Sequence, residues 1–337
     1  MMKYDRILLA HGNGGLLGNE LVEDFFLPFL SNPMLDKLND QGIFQIENIK
    51  LALTTDSYVV HPIFFPGGDI GDLAVNGTVN DLAMGGAKPL YLSLGLIIEE
   101  GFLMKDLQRI FQSIRKAAAE AEVQIITGDT KVVNKGGVDG IFINTSGIGL
   151  IDGPLNISAD NLRVGDRIIV SGTIADHGMT IIAAREGLIF DNPLKSDTAA
   201  LNKLVKKMLS TGATIHAMRD PTRGGLSSTL NEFAKKSNVG IVIEEEKVRI
   251  RKEVKEACEI LGMDPMKIAN EGKLVAVASS EDAETLLRTM REDPLGQTAE
   301  IIGEVVDSNK GKVIMKTLIG SSKIVDMAMH EALPRIC

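Results

Sequence analysis

One stretch limits the architecture more than any other. Residues Ile70–Met84 run for fifteen positions in apolar and small residues, long enough for a helix and stopped by Gly85-Gly86. Such a helix belongs inside the molecule, yet it carries Asn76, Asn80 and Asp81. Asn76 and Asn80 are four apart and share a face, with Asp81 beside them. A carboxylate left unpaired in apolar surroundings costs several kcal/mol, so the fold must give Asp81 partners. A buried capping network would serve; a metal or phosphate site is the reading the pattern favours.

Around this helix the chain alternates strands and helices. Ile49–Asp56, Leu90–Ile98, Gln124–Thr127 and Val138–Ile151 read as strands, and Leu103–Ala121 as an amphipathic helix. Ile151–Gly165 is a polar connector with Gly153-Pro154 and marks a domain boundary. Beyond it, strands are expected at Arg167–Ser171, Thr214–Met218, Gly240–Ile243 and Lys273–Ala278. Helices are expected at Thr180–Glu186, Thr198–Ser210, Gly225–Lys236 and Asp282–Arg291. The organisation expected is a glycine-rich arm (1–45), two mixed α/β domains (46–153 and 154–316) and a mobile tail (317–337) stiffened near its end by Pro334.

The 337 residues suffice for two such domains, and a net charge of −9 argues against a nucleic-acid partner. The apolar run after Lys3 and Arg6 is only Ile7-Leu8-Leu9-Ala10, too short for a signal peptide, and no run of some 18 apolar residues follows. A cytoplasmic protein without membrane contact is expected, and two cysteines give no disulfide framework.

Neither G-x-x-x-x-G-K-[ST] nor G-x-G-x-x-G is present, so a phosphate site must be built from acids, metal and glycine backbone. Thr54-Thr55-Asp56-Ser57 ends a strand on a carboxylate, where α/β folds present site residues, although a turn cap reads the same way. Thr127-Gly128-Asp129-Thr130-Lys131 repeats that arrangement. Arg219-Asp220-Pro221-Thr222-Arg223-Gly224-Gly225 leads into a helix start, which offers backbone donors to phosphate and a carboxylate to Mg²⁺. Asn270-Glu271-Gly272-Lys273 adds an acid and a base. His11-Gly12-Asn13-Gly14-Gly15 is either a flap over phosphates or a disordered arm. His177 reads as a surface helix start more than as a substrate contact; His61, His216 and His330 lack zinc-spaced partners and read as structural. Cys258 lies in a helical pattern and reads as packing. Cys337 is an unprotected terminal thiol with no packing value.

Taken together, TTDSYVVHPIFFPGGDIGDLAVNGTVNDLAMGGAKP, TGDTKVV, SGTIADHG, RDPTRGGL, NEGK and the terminal PRIC resemble HypE, the hydrogenase maturation carbamoyl dehydratase family, within the aminoimidazole ribonucleotide synthetase-like superfamily. The resemblance runs from His11 to Cys337, with Asn13 where Ser is expected and Ala175 where Gly is common. It implies two α/β domains, the N-terminal ones pairing in a dimer through a shared β-barrel, and ATP with Mg²⁺ between the domains. It implies a carbamoyltransferase partner, HypF, that loads Cys337 as a thiocarboxamide, dehydration of that group to a thiocyanate, and cyanide transfer to a HypC–HypD scaffold. By resemblance, Asp56, Asp81 and Asp220 bind Mg²⁺–phosphate, with Asn76, Asp129, Arg223, His11 and Gly14 around the nucleotide. Lys131 and Glu271 position the amide and relay its protons. Two other readings fit the same motifs: a small-molecule phosphotransferase of the selenophosphate synthetase or thiamine-phosphate kinase kind, and an ATP-gated scaffold whose tail docks without chemistry.

Overall fold

The structure, a computed structural model, describes residues 5–12, 14–327 and 335–337. Two short helices, α1 (Gly15–Leu21) and α2 (Leu27–Leu30), precede a hairpin of β1 (Gly42–Ile46) and β2 (Ile49–Tyr58). The arm expected over 1–45 therefore gives its last residues to the first sheet, because alternating Ile43 and Gln45 pair opposite Ala52 and Lys50. A two-residue hairpin, β3 (Phe64–Phe65) and β4 (Gly68–Asp69), leads into helix α3 (Ile70–Met84). There follow β5 (Lys88–Glu99), α4 (Met104–Ala121), β6 (Gln124–Val133) and β7 (Ile141–Ile151). The five long strands form one sheet in the order β1-β2-β7-β5-β6.

Helix α3 is buried on nearly every side, as a helix apolar all round must be. Its start is fixed by a capping box in which Asp69 accepts from Gly71 N and Asp72 N while the Asp72 side chain accepts from Asp69 N. Gly77 sits mid-helix at a propensity cost of about 1 kcal/mol. A Cβ there would lie 2.3 Å from Tyr58 Oη, so only glycine lets the helix approach β2 this closely. Against α3 and α4 the sheet buries one face; β7 alternates strictly between buried and part-exposed residues along all eleven positions. The opposite face is bare: Leu53, Tyr91 and Ile97 are all exposed there.

The second half builds a seven-stranded sheet, covered by helices on both faces. In chain order its elements are β8 (Arg167–Val170), α5 (Asp176–Glu186), α6 (Asn202–Ser210), β9 (Ile215–Arg219), α7 (Gly225–Lys236), β10 (Gly240–Glu244), α8 (Lys252–Leu261), β11 (Val275–Ala278), α9 (Ala283–Arg291), β12 (Glu300–Val306), β13 (Val313–Lys316) and β14 (Ser322–Ile324). The strand order is β14-β13-β10-β12-β8-β11-β9. Strand β14 lies within the expected tail, so that segment begins by extending a sheet. The reading of Pro334, like those of Asn13 and His330, falls outside the described residues. Among the described residues no helix is long and apolar enough to cross a membrane.

The halves share their packing. Ala83 and Met84 of α3 belong to a cluster with Ile157, Leu204 and Met208, while Ile181 and Ala269 join the core of the first sheet. This joint sets the site: the carboxyl end of α3, the end of β2 and the loop after β9 meet over one space.

Candidate active site

Residues from six segments line a polar cavity of about 180 Å³. Strand β2 contributes Thr55 and Asp56, α3 contributes Gly77 and Asp81, and the loop after β9 contributes Asp220, Thr222 and Arg223. Asp40 enters from the arm and Glu271 from the turn before β11. The last wall is Cys337, only 9% exposed. The chain terminus thus lies inside the molecule, against four of the acids singled out in the sequence.

Crowding of carboxylates away from water dominates the electrostatics. Burial, then Asp220, Asp40 and Asp56, push the Asp81 carboxyl well above its ordinary range. Asp220 is pushed up to about 8 by burial, with Asp40 and Asp56 adding to it. Burial likewise raises Asp56 against the pull of Arg223, and raises Glu271 well above 4.5 with help from Asp220, Asp56 and Asp197. Geometry agrees for Asp81. Thr54 Oγ1 lies 2.8 Å from both Asp40 O and Asp81 Oδ2, and one hydroxyl donates only once. Both contacts are satisfied when Thr54 donates to the carbonyl and a protonated Asp81 donates to Thr54.

A larger groove of about 760 Å³ adjoins this cavity and shares Asp40, Thr55, Asp220, Thr222 and Arg223 with it. Its walls are His11, Gly12 and Gly14 of the arm, the start of α7, and the basic side chains Arg219, Lys235 and Lys236. The volume suits a nucleotide-sized ligand. Helix α7 opens on Gly224 and Gly225, both with positive φ; Gly225 N donates to Thr222 O at 2.9 Å, and Leu226 N and Ser227 N are the first-turn N–H groups without an intrahelical acceptor. Arg223 Nη1 donates to Gly12 O at 3.0 Å, and a Cβ on Gly14 would lie 2.8 Å from Arg223 Cβ. The glycine arm therefore lies directly on this arginine. Arg219 is locked by Asp40 at 2.8 Å and by Glu232.

The structure brings Asp56, Asp81, Asp220, Arg223, Glu271 and Cys337 together, with His11 and Gly14 on the adjoining groove. Three other expected residues lie elsewhere. Asn76 turns away from the cavity and donates to Thr198 Oγ1 at 3.1 Å, while Asn80 holds Ala199 O and Leu201 N. These asparagines fasten the 196–201 segment, which is why helix α6 begins at Asn202 and not at Thr198. Asp129 and Lys131 pair with each other at 2.7 Å on exposed β6, outside both cavities. His177, read as a surface residue, is fully buried. Two wall residues, Asp40 and Thr222, gave little signal: Asp40 lies in an ordinary polar turn, and Thr222 inside a motif read for its charges. Ala175, standing where Gly is common, adopts φ 70°, the conformation glycine favours.

Among the described residues no three acidic, histidine or cysteine side chains converge closely enough to hold a metal ion by themselves. A Mg²⁺ ion shared between one or two carboxylates and substrate phosphates would have Asp56, Asp81 and Asp220 as its candidate donors, and Glu271 Oε1 is buried without a hydrogen-bond partner.

Residues 38–151 match the N-terminal domain of AIR synthase related proteins, and residues 163–316 match the C-terminal domain of the same family. The fold is thus that of an AIR synthase related protein. The carbamoyl dehydratase HypE of Azotobacter vinelandii is 50% identical over 336 residues, covering 100% of this chain and 98% of its own. A crystal structure of a HypE–HypF complex superposes with a TM-score of 0.87 at 49% identity, over 91% of this chain and 99% of that one. HypE in complex with ATP superposes with a TM-score of 0.83 at 47% identity, over 98% of this chain and all of the other. The chain belongs to the HypE family of carbamoyl dehydratases.

Proposed function

We propose that this protein uses ATP to dehydrate a thiocarboxamide carried on Cys337 to a thiocyanate, which supplies cyanide for [NiFe]-hydrogenase assembly. One observation carries the reading: the terminal cysteine lines the same small cavity as Asp56, Asp81, Asp220 and Glu271. A carbamoyl group added to its sulfur would enter that cavity, with the 760 Å³ groove beside it for the nucleotide. HypE bound to ATP and HypE bound to HypF support ATP as co-substrate and a HypF carbamoyltransferase as the loading partner.

The chemical need is plain. Amide oxygen is a poor leaving group; transfer of the terminal phosphoryl group of ATP to that oxygen lets it depart as phosphate. Both N–H protons leave as the C≡N bond closes, so thiocarboxamide and ATP become thiocyanate, ADP and phosphate. Arg223 and the first N–H groups of α7 stabilise charge on the phosphates. Bound Mg²⁺ would neutralise the phosphates and so relieve the repulsion among Asp56, Asp81 and Asp220. Glu271 is the base we favour, because its raised pKa makes it a stronger proton acceptor than an exposed carboxylate, and its Oε1 has no competing partner.

Lys131 enters this scheme through a second copy. It shares the bare face of the first sheet with Asp129, opposite Ile97 and Gly95 in the register, and Thr55 of the cavity wall stands on that face too. Covering the face with another protomer removes its exposed Leu53, Tyr91 and Ile97 from water and brings a foreign β6 towards the cavity. We therefore assign Lys131 to the site of the paired subunit. Cyanide then passes to a HypC–HypD scaffold.

The test is the intact mass of protein carbamoylated by HypF, before and after ATP. Loss of one water confined to the C-terminal peptide is expected, with ADP and phosphate as products. In Cys337→Ala the modification disappears while ATP binding persists. A loaded thiol unchanged by ATP, or modification on Cys258, overturns the proposal.

A further inference from the structure

The tripeptide Arg335–Cys337 is held at both of its peptide carbonyls and at its terminal carboxylate. Val59 N donates to Cys337 O at 2.9 Å and His61 N to Arg335 O at 3.1 Å, so the end of the chain runs antiparallel alongside Val59–His61. Ile336 O faces the other way and lies 2.8 Å from His177 Nε2. A carbonyl only accepts, so Nε2 carries the proton, and Nδ1, 2.8 Å from Ser196 Oγ, accepts from that hydroxyl. Arg185 donates to both His61 O and Arg335 O and bridges the two segments. At the outer end the Arg335 guanidinium pairs with Asp139, donates to Val59 O at 2.8 Å, and stands 5.7 Å from the Phe142 ring centroid. Ile336 itself is buried in the cluster that contains Val60, Phe65, Ile181 and Ala269.

We propose that His177, Arg185 and Asp139 form a latch that seats Arg335–Cys337, fixing the thiol at the acidic cavity and setting how often it is released. These are positioning residues: each grips the main chain or side chain next to the cysteine. The need for a latch rests on Cys337 being a carrier, since a thiol this buried must come out to be loaded and return to react. Two opposite demands follow. A tighter latch favours dehydration, whereas a looser one favours loading. The residues also set specificity for the carrier, because only an arginine two places before the cysteine can span Val59 O and Asp139 together. Arg335 has φ 58°, a left-handed conformation that an L-residue adopts only when its surroundings hold it there.

The full-length protein tests this through the rate at which iodoacetamide alkylates Cys337, followed by mass of the C-terminal peptide. Cys258 is a silent internal reference, being 2% exposed with its thiol pushed up to about 11. His177→Ala should raise the Cys337 rate about tenfold, the size expected from one lost hydrogen bond to a buried partner; Asp139→Asn, which removes the charge from a largely exposed pair, should raise it about two- to fivefold. Both should slow ATP-driven dehydration of preloaded protein. His177→Gln, which keeps a donor near Nε2, should recover part of each effect. The Asp139 side chain is 61% exposed, so Asp139→Asn leaves the fold intact and keeps the test decisive if His177→Ala unfolds. An unchanged alkylation rate in Asp139→Asn, or alkylation and dehydration falling together, overturns the latch. Alkylation needs neither ATP nor a carbamoyl donor, so it judges the latch even where the carrier reading fails.

Discussion

Thr54-Thr55-Asp56-Ser57 and Thr127-Gly128-Asp129-Thr130-Lys131 look alike in sequence, yet they end in opposite environments. Asp56 sits on β2, an inner strand of its sheet, facing α3, and burial raises its pKa. Asp129 sits on β6, at the sheet's edge and on the bare face, where its bond to Lys131 lowers its pKa. The side chains are the same; strand order and face decide which carboxylate becomes desolvated. In one protomer the first segment is therefore part of a site and the second is surface. The second acquires a role only when another molecule covers it.

The largest effects should come from the desolvated group. Glu271→Gln should retain ATP binding and lower dehydration by about 10²–10⁴-fold, the range lost with a general base. Asp81→Asn should keep the fold and abolish ATP turnover; full turnover in that variant would remove Asp81 from the site. Next comes the partner's contribution. Lys131→Ala and Glu271→Gln are each expected to be inactive, but unfolded together and refolded as a mixture they should regain about a quarter of wild-type activity. Half the dimers are mixed and each mixed dimer holds one intact site. No recovery would return Lys131 to its own protomer or remove it from catalysis.

A smaller effect is the pH dependence of stability. Asp220 holds its proton up to about 8 in the folded protein, against 3.8 for an ordinary aspartate. The folded state therefore binds that proton more tightly, and the advantage present below about pH 4 is lost as pH rises towards 8. The melting temperature of nucleotide-free protein should fall across this window, with Asp72, held at about 6, adding to the lower part. Asp220→Asn should flatten the decline, and Mg²⁺–ATP should do so in wild type. The smallest effect belongs to the edge strand: Asp129→Asn removes the charge of an exposed, solvent-screened pair, so calorimetry of dilute protein should register almost nothing.

Much of the cavity was legible because its chemistry is costly. An aspartate in an apolar helix, acids at strand ends, and a basic loop before a helix all marked places where charge needed a partner. Helix Ile70–Met84 was legible to the residue, since fifteen small and apolar positions with Gly85-Gly86 after them leave little choice. What escaped was relational. Nothing in Asn76 tells that its amide meets Thr198 across 122 positions, and nothing in Lys131 tells that β6 is an edge. His177 was misread as surface because its partners are a serine nineteen residues on and a carbonyl at the far end of the chain. The late strands β12 to β14 were missed because Gly303 and the Asp307–Gly311 turn break up their apolar runs.

Helix α3 carries a last consequence. Its walls come from both halves: Tyr58 presses on Gly77, Thr198 and Ala199 hang from its asparagines, and Met84 packs with Leu204 and Met208. Neither half can shed the other without exposing this helix to water. The two should therefore unfold in one cooperative transition, and a fragment cut at the Gly153-Pro154 connector should be poorly soluble. A boundary plain in the sequence is, for stability, no boundary at all.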